Sequence, residues 1–204
     1  MKLGIFGGTF DPIHNAHLFV AESARRLQKL DRVLFVPTNL THYRSGAHAG
    51  AAHRCAMILG AIASNSGFAL DDTDLRADAS GYTADLLPRL SAKYPGSDLT
   101  FITGADSLAS NSWVRFEEVL EALAAFVVAP RGGVRPEAIS RVLDAVPARL
   151  RHRVKTLQSP EVPESSTLIR SQLSAGKSVR YLVPEPVWQY IVAHELYEIR
   201  GEDA

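Results

Sequence analysis

The sequence predicts an α/β fold: a doubly wound parallel sheet with helices on both faces and a small helical region at the C-terminal end. Three observations predict it. Short apolar runs alternate with amphipathic stretches through the N-terminal half. The runs stop at Gly7-Gly8, Pro37, Gly104 and Pro130, residues that end strands. Strands that alternate with helices are joined by crossovers, which favour a parallel sheet covered on both sides.

Taken in order, Lys2–Phe6 reads as a buried strand. From about 15 to 29, Ala16, Val20, Ala24 and Leu27 recur at helical spacing, with Arg25, Arg26 and Lys29 in the last turns, where cations complement the helix dipole. Arg32–Val36 is a second strand, residues 51 to 64 a helix, and Phe68–Leu70 a short strand. Tyr82–Lys93 is a helix, and Leu99–Thr103 and Ala124–Ala129 are strong strands. The Arg- and Ala-rich stretch from Gly132 to about Leu150 reads as helical, and Pro160, Pro163, Ser165 and Ser166 as a loop. Thr167–Ala175 is a helix stopped by Gly176, and Pro184–Leu196 a final amphipathic helix. No internal repeat or linker interrupts the chain. Residues 1–204 are expected to form one domain, with 160–204 as its C-terminal helical part.

Composition removes several classes of function. Lys+Arg and Asp+Glu balance at 22 each, so the chain lacks the electrostatic footprint of a nonspecific nucleic-acid binder. No secretory leader or membrane-length apolar stretch is visible, which makes cytoplasmic localisation the expectation. The partners expected are small molecules, with neither nucleic acid nor membrane; homo-oligomerisation stays open. An apolar fraction of 46% supports a core without a metal or disulfide staple. Cys55 is the one cysteine and lies in an apolar run, where a buried structural thiol is expected.

In parallel sheets ligands bind beyond the carboxyl ends of the strands. The chemistry is therefore expected after Phe6, Val36 and Thr103. The first strand runs into Gly7-Gly8-Thr9-Phe10-Asp11-Pro12-Ile13-His14-Asn15-Ala16-His17. Two glycines let the backbone approach a bulky anion. A helix begins near Asn15, and its first N–H groups and dipole favour phosphate. At their spacing the rings of His14 and His17 can face one side and donate to phosphate oxygens. No Gly-Lys-Ser/Thr follows the glycines, so this is not a Walker A loop, and the dinucleotide pattern Gly-x-Gly-x-x-Gly is missing too. His42, His48 and His53 do not match a zinc spacing. Asp11 is expected to fix the turn before Pro12 rather than to bind metal. Downstream, Ser165 or Ser166 can cap a helix whose N-terminus offers donors to an anion, with Arg170 reaching toward phosphate.

The first segment resembles the Gly-x-Phe-Asp-Pro-x-His-x-Gly-His signature of the nucleotidylyltransferase superfamily, which has a Rossmann-like fold. Ala16 stands where that signature has glycine. Ser165-Ser166-Thr167-Leu168-Ile169-Arg170 resembles the superfamily's Ile-Ser-Ser-Thr-x-Ile-Arg element. Three further segments resemble nicotinate mononucleotide adenylyltransferases. These are Phe101–Leu108 followed by Trp113, then Gly81-Tyr82-Thr83-Ala84-Asp85-Leu86-Leu87, and Val36–Arg44, where Asn39 and Arg44 match and Tyr43 replaces a histidine. His53-Arg54 opens a helix as that family's His-Arg pair does.

The resemblance implies transfer of the adenylyl group of ATP to nicotinate mononucleotide, without a protein nucleophile. It implies His14, His17 and Arg170 as catalytic residues on the triphosphate. Gly7, Gly8, Thr9, Phe10, Gly104, Asp106, Ser166 and Thr167 would hold ATP. Asn39, Arg44, Tyr82, Thr83 and Trp113 would hold the mononucleotide. Magnesium would arrive with ATP, bound through phosphates and water, with no metal ligand supplied by the protein. Two alternatives remain: another small-phosphate acceptor such as phosphopantetheine, and a non-catalytic nucleotide sensor on the same fold.

Overall fold

The computed structural model describes residues 1–38, 47–109, 113–130, 134 and 136–198. Its strands are β1 (Lys2–Gly8), β2 (Arg32–Pro37), β3 (Phe68–Leu70), β4 (Asp98–Gly104), β5 (Ala125–Ala129) and β6 (Val154–Thr156). They form one sheet in the order β3-β2-β1-β4-β5-β6, with every pair parallel. This is the doubly wound, Rossmann-like α/β order expected from the alternating pattern. The chain leaves β1 on one side to reach β2 and later returns on the other as β4. The switch point therefore lies between β1 and β4, at the end where β1 finishes in Gly7-Gly8.

The helices are α1 (Asn15–Leu27), α2 (Ala51–Ile62), α3 (Thr83–Lys93), α4 (Ala105–Ala109), α5 (Phe116–Ala122), α6 (Pro136–Ala145), α7 (Ala148–Arg151), α8 (Ser166–Ser174) and α9 (Glu185–Ala193). Both faces of the sheet are buried, as parallel sheets require. Phe6, Val33, Phe35, Ile102 and Val127 pack with residues of α1, α2, α8 and α9. Leu3, Ile5, Leu34, Phe101 and Phe126 pack on the opposite face with residues of α3, α4 and α5. The period-2 alternation of strand side chains divides each run between the two cores. Where the sequence shows only apolar runs, the sheet thus has two distinct hydrophobic layers.

Four features depart from the sequence expectation. β6 joins the sheet although Val154-Lys155-Thr156 has one apolar residue and no readable period; it is a short edge strand with little to bury. The predicted helix over 132–150 divides into α6 and α7, because Pro147 cannot continue a helix. Helices α4 and α5 lie between β4 and β5, each too short for a clear helical stripe. Thr73–Leu75 forms a 3-10 turn.

Candidate active site

Close packing favours glycine at the end of β1. A Cβ on Gly7 would stand 3.0 Å from the Phe101 ring, and one on Gly8 would stand 3.1 Å from that of Phe10. Phe10, with φ of 50°, turns the chain so that its ring lies buried beneath the loop, in edge contact with Phe6 and His17. Its backbone, rather than its ring, is what the loop can offer to an anion.

His14 occupies the N-cap position of α1, and His17 sits in the first turn. Their rings stack with centroids 3.6 Å apart and planes inclined by 27°. The His14 backbone N–H donates to His17 Nδ1 at 3.2 Å. A neutral His17 that accepts at Nδ1 carries its proton on Nε2. The helix end itself offers less than expected. The Asn15 N–H is taken by the Leu182 carbonyl and that of His17 by the His14 carbonyl. Ala16 lines the cavity just above this first turn.

Helix α8 brings a second N-terminus to the same place. Ser165 is its cap, accepting the Leu168 N–H at 3.1 Å. The Ser166 hydroxyl donates to the Pro12 carbonyl at 3.0 Å. That corrects one expectation, because the Ser166 side chain spends its proton on tying α8 to the β1–α1 loop. Arg170 donates from Nη1 to the Asp11 carbonyl at 2.6 Å and from Nη2 to Thr167 Oγ1 at 3.5 Å.

Asp11 is buried, and its carboxylate does not fix its own turn. Instead it accepts the N–H groups of His48 at 2.7 Å and Ala49 at 3.1 Å, and the Tyr197 hydroxyl at 2.8 Å. Beside it the fully buried Arg54 guanidinium donates to the carbonyls of Thr9 at 2.7 Å, Thr38 at 2.9 Å and Ala49 at 3.2 Å. Burial pulls Arg54 below the usual arginine value, and the charge of Asp11 partly restores it. The hydrogen bonds of Asp11 and Arg54 together clamp the β1–α1 loop to the end of β2 and the start of α2. In the sequence Arg54 reads only as part of a helix-opening pair. A signal was present: with Met57, Ile58 and Ile62 it falls on the buried stripe of α2, where an arginine needs a partner.

Two cavities open at the carboxyl end of the sheet. The larger, about 520 Å³, is walled by Gly7, Gly8, Thr9 and Phe10 from the loop, with His14, His17 and Arg170 around it. Thr167 and Ser166 line it from α8, and Gly104 and Asp106 from the end of β4 and the start of α4. The smaller, about 80 Å³, is lined by Tyr82, Thr83, Trp113, Phe101 and Asp74. Gly7, Gly8, Thr103 and Ser107 line both, so the cavities meet over the end of β1. The residues expected to hold ATP thus surround one cavity, and Tyr82, Thr83 and Trp113 the other. Asn39 and Arg44 lie outside the described residues.

Trp113 is held edge-on to Phe126 and Phe101, and its indole N–H donates to the Ser107 carbonyl at 3.0 Å. Tyr82 caps α3, and Thr83 is its first residue. Asp85 accepts from the Ser80 hydroxyl at 2.6 Å and pairs with Arg115, so it spans two segments rather than serving only its own helix turn. The Arg115 hydrogen bond, helped by Ser80, holds its carboxyl below the usual range. This bridge fixes the spacing between the α3 N-terminus and the Trp113 segment. Among the described residues, no group of three or more His, Cys, Asp or Glu is placed to hold a metal ion. Nor is any described helix long and apolar enough to cross a membrane.

Comparison with known proteins places this geometry. The cytidylyltransferase-like family model matches residues 5–172. A Symbiobacterium thermophilum protein named "probable nicotinate-nucleotide adenylyltransferase" is 38% identical over 203 residues, 98% of this chain and 97% of its own. One of the same name from Oceanobacillus iheyensis is 34% identical over 96% of each chain. Among solved structures, the Plasmodium falciparum nicotinic acid mononucleotide adenylyltransferase complexed with NaAD superposes with a TM-score of 0.77. It is 21% identical and covers 98% of both chains, a likeness of fold.

Proposed function

The chain belongs to the cytidylyltransferase-like family and, within it, to the nicotinate-nucleotide adenylyltransferases, and we propose that it transfers the adenylyl group of ATP to nicotinate mononucleotide, giving deamido-NAD and pyrophosphate. One observation carries the reading: a phosphate-suited cavity and an aromatic-walled cavity meet over Gly7 and Gly8. A phosphorus atom bound over these glycines is reachable from both sides.

In the proposed reaction a phosphate oxygen of the mononucleotide forms a bond to the α-phosphorus of ATP. The bond from that phosphorus to the bridging oxygen breaks on the opposite side, and pyrophosphate leaves. No protein nucleophile is required; the chain contributes position and charge stabilisation. His17 Nε2–H and His14 serve the β- and γ-phosphates and the charge growing on the leaving oxygen. Backbone groups of Gly8, Thr9 and Phe10 face the α-phosphate, with Gly7 admitting its close approach. Arg170, Thr167 and the α8 end at Ser166 hold the far phosphates. Gly104 and Asp106 serve the adenosine. Thr83 and the α3 N-terminus suit the nicotinate carboxylate, Trp113 and Tyr82 the flat ring, and Asn39 and Arg44 the substrate phosphate.

Magnesium fits this cavity as a companion of the triphosphate. Asp11 is committed to three protein donors, so the ion would be held mainly by phosphate oxygens and water. When bound, the ion neutralises phosphate charge. We place the enzyme in the cytoplasm and treat residues 160–204 as an integral part of one nucleotidyltransferase domain, because Ser166, Arg170 and Tyr197 all bond to the phosphate loop. The test is pyrophosphate release. It should require ATP and nicotinate mononucleotide together; binding of ATP with no release under any acceptor would leave only a sensor.

A further inference from the structure

Tyr197 lies beyond α9, near the end of the described chain, yet its hydroxyl reaches the phosphate loop. It donates to Asp11 Oδ1, which also accepts the Ala49 N–H, while Oδ2 takes the His48 N–H. Arg170 meets this carboxylate only as a long ion pair, outside hydrogen-bond distance. Its Nη1 is 4.0 Å from Oδ2 and donates instead to the Asp11 carbonyl at 2.6 Å, with the guanidinium on the wall of the larger cavity. The carboxylate is thus filled by three donors that carry no formal charge, and the nearby cation is left facing the cavity.

We propose that Tyr197 is a positioning residue for adenylyl transfer, whose hydroxyl satisfies Asp11 so that Arg170 stays turned toward the triphosphate. The inference rests on the function proposed above. A carboxylate as buried as Asp11, 2% exposed, cannot go without donors. If the hydroxyl is removed, Oδ1 keeps only the Ala49 N–H. The arginine 4.0 Å away is the group able to replace it, and a guanidinium pairs with a carboxylate as a planar fork. That pairing draws Arg170 off the cavity wall. Burial, then the charge of Asp11, hold the Tyr197 hydroxyl protonated far above the ordinary tyrosine range, so it donates at every working pH.

The test compares Tyr197→Phe with Leu196→Ala, which loosens the same segment's packing without touching Asp11. Thermal unfolding, KM for each substrate, and equilibrium binding of a non-hydrolysable ATP analogue are read for both. Tyr197→Phe should fold, bind the analogue about tenfold more weakly, a loss of the size expected for one hydrogen bond to a charged group, and keep the mononucleotide KM. Tyr197→His, which retains a ring donor, should recover part of that affinity. Leu196→Ala should lower the unfolding temperature and leave ATP affinity unchanged. Unaltered ATP affinity in Tyr197→Phe, equal loss in Leu196→Ala, or a Tyr197→Phe chain that does not fold would each overturn the proposal. Analogue binding is independent of the acceptor, so this outcome is separate from any failure of the nicotinate assignment.

Discussion

Arg54→Lys is the substitution that probes the phosphate loop most deeply without touching a residue that meets substrate. Arginine donates to three carbonyls in three segments: Thr9 in the loop, Thr38 after β2, and Ala49 before α2. Lysine has one compact ammonium and no fork, so it cannot reproduce that geometry. It can serve one or two of these acceptors, leaving at least one without its charged donor. Hydrogen bonds to charged groups contribute about 1.5–3 kcal/mol each, so the loss of one or two predicts about 1.5–6 kcal/mol of destabilisation. That is a large part of a domain's net stability of about 5–15 kcal/mol. The Thr9 carbonyl lies between Gly8 and Phe10, so the damage should appear in ATP use before the fold is lost. Urea unfolding at neutral pH measures the first effect, and kcat/KM for ATP, expected to fall at least ~10-fold, the second. A midpoint matching the unsubstituted chain, with normal kinetics, would refute the clamp.

Three other outcomes are expected. His17→Ala should lower kcat by about 100–1000-fold, the usual cost of one donor to a developing anion, while the circular dichroism spectrum is kept; near-normal turnover would remove His17 from the chemistry. Trp113→Ala should raise the KM of the mononucleotide and leave that of ATP, and it should also cost about 3–5 kcal/mol because the ring packs on Phe101, Phe116 and Phe126; a change confined to the ATP KM would contradict the assignment. Asp71→Asn should alter the pH dependence of stability. Burial pushes the Asp71 carboxyl up, but hydrogen bonds from Thr73, Tyr94 and Lys93 outweigh it and hold it below 3.8. A lowered folded value means that its contribution is complete above the unfolded value and is lost as pH falls through the folded one, so the two chains should converge in acid. Tyr94, pushed up to about 12 by burial and by Asp71, works in the opposite sense. Its contribution is present below 10.0 and lost as pH rises toward about 12.

The loop proposed to hold phosphate is legible in the sequence because its physical demands coincide at one strand end. Close approach needs Gly7 and Gly8, and the donors are His14 and His17 at helical spacing. The central strands are legible too, since burial on both faces makes them nearly continuous apolar runs. β6 is not, because an edge strand of three residues carries no period. The two-cavity arrangement rests on tertiary contacts that no local pattern encodes. Asp11 meets Tyr197 across 186 positions, and Ser166 meets Pro12 across 154. The motif at 165–170 foretells a capped helix and an arginine. Only the fold reveals that the Ser166 hydroxyl serves the loop rather than phosphate. Arg54 was readable as a charge on a buried stripe, but its three acceptors were not.

Which acceptor takes the adenylyl group is the central claim, and steady-state turnover tests it most directly. Pyrophosphate release from ATP is followed in parallel with nicotinate mononucleotide, nicotinamide mononucleotide and phosphopantetheine. The account predicts the highest kcat/KM with nicotinate mononucleotide, whose ring and carboxylate suit Trp113, Tyr82 and Thr83. A highest value with phosphopantetheine would contradict the reading of that cavity, while leaving Gly7–His17 as the phosphate loop.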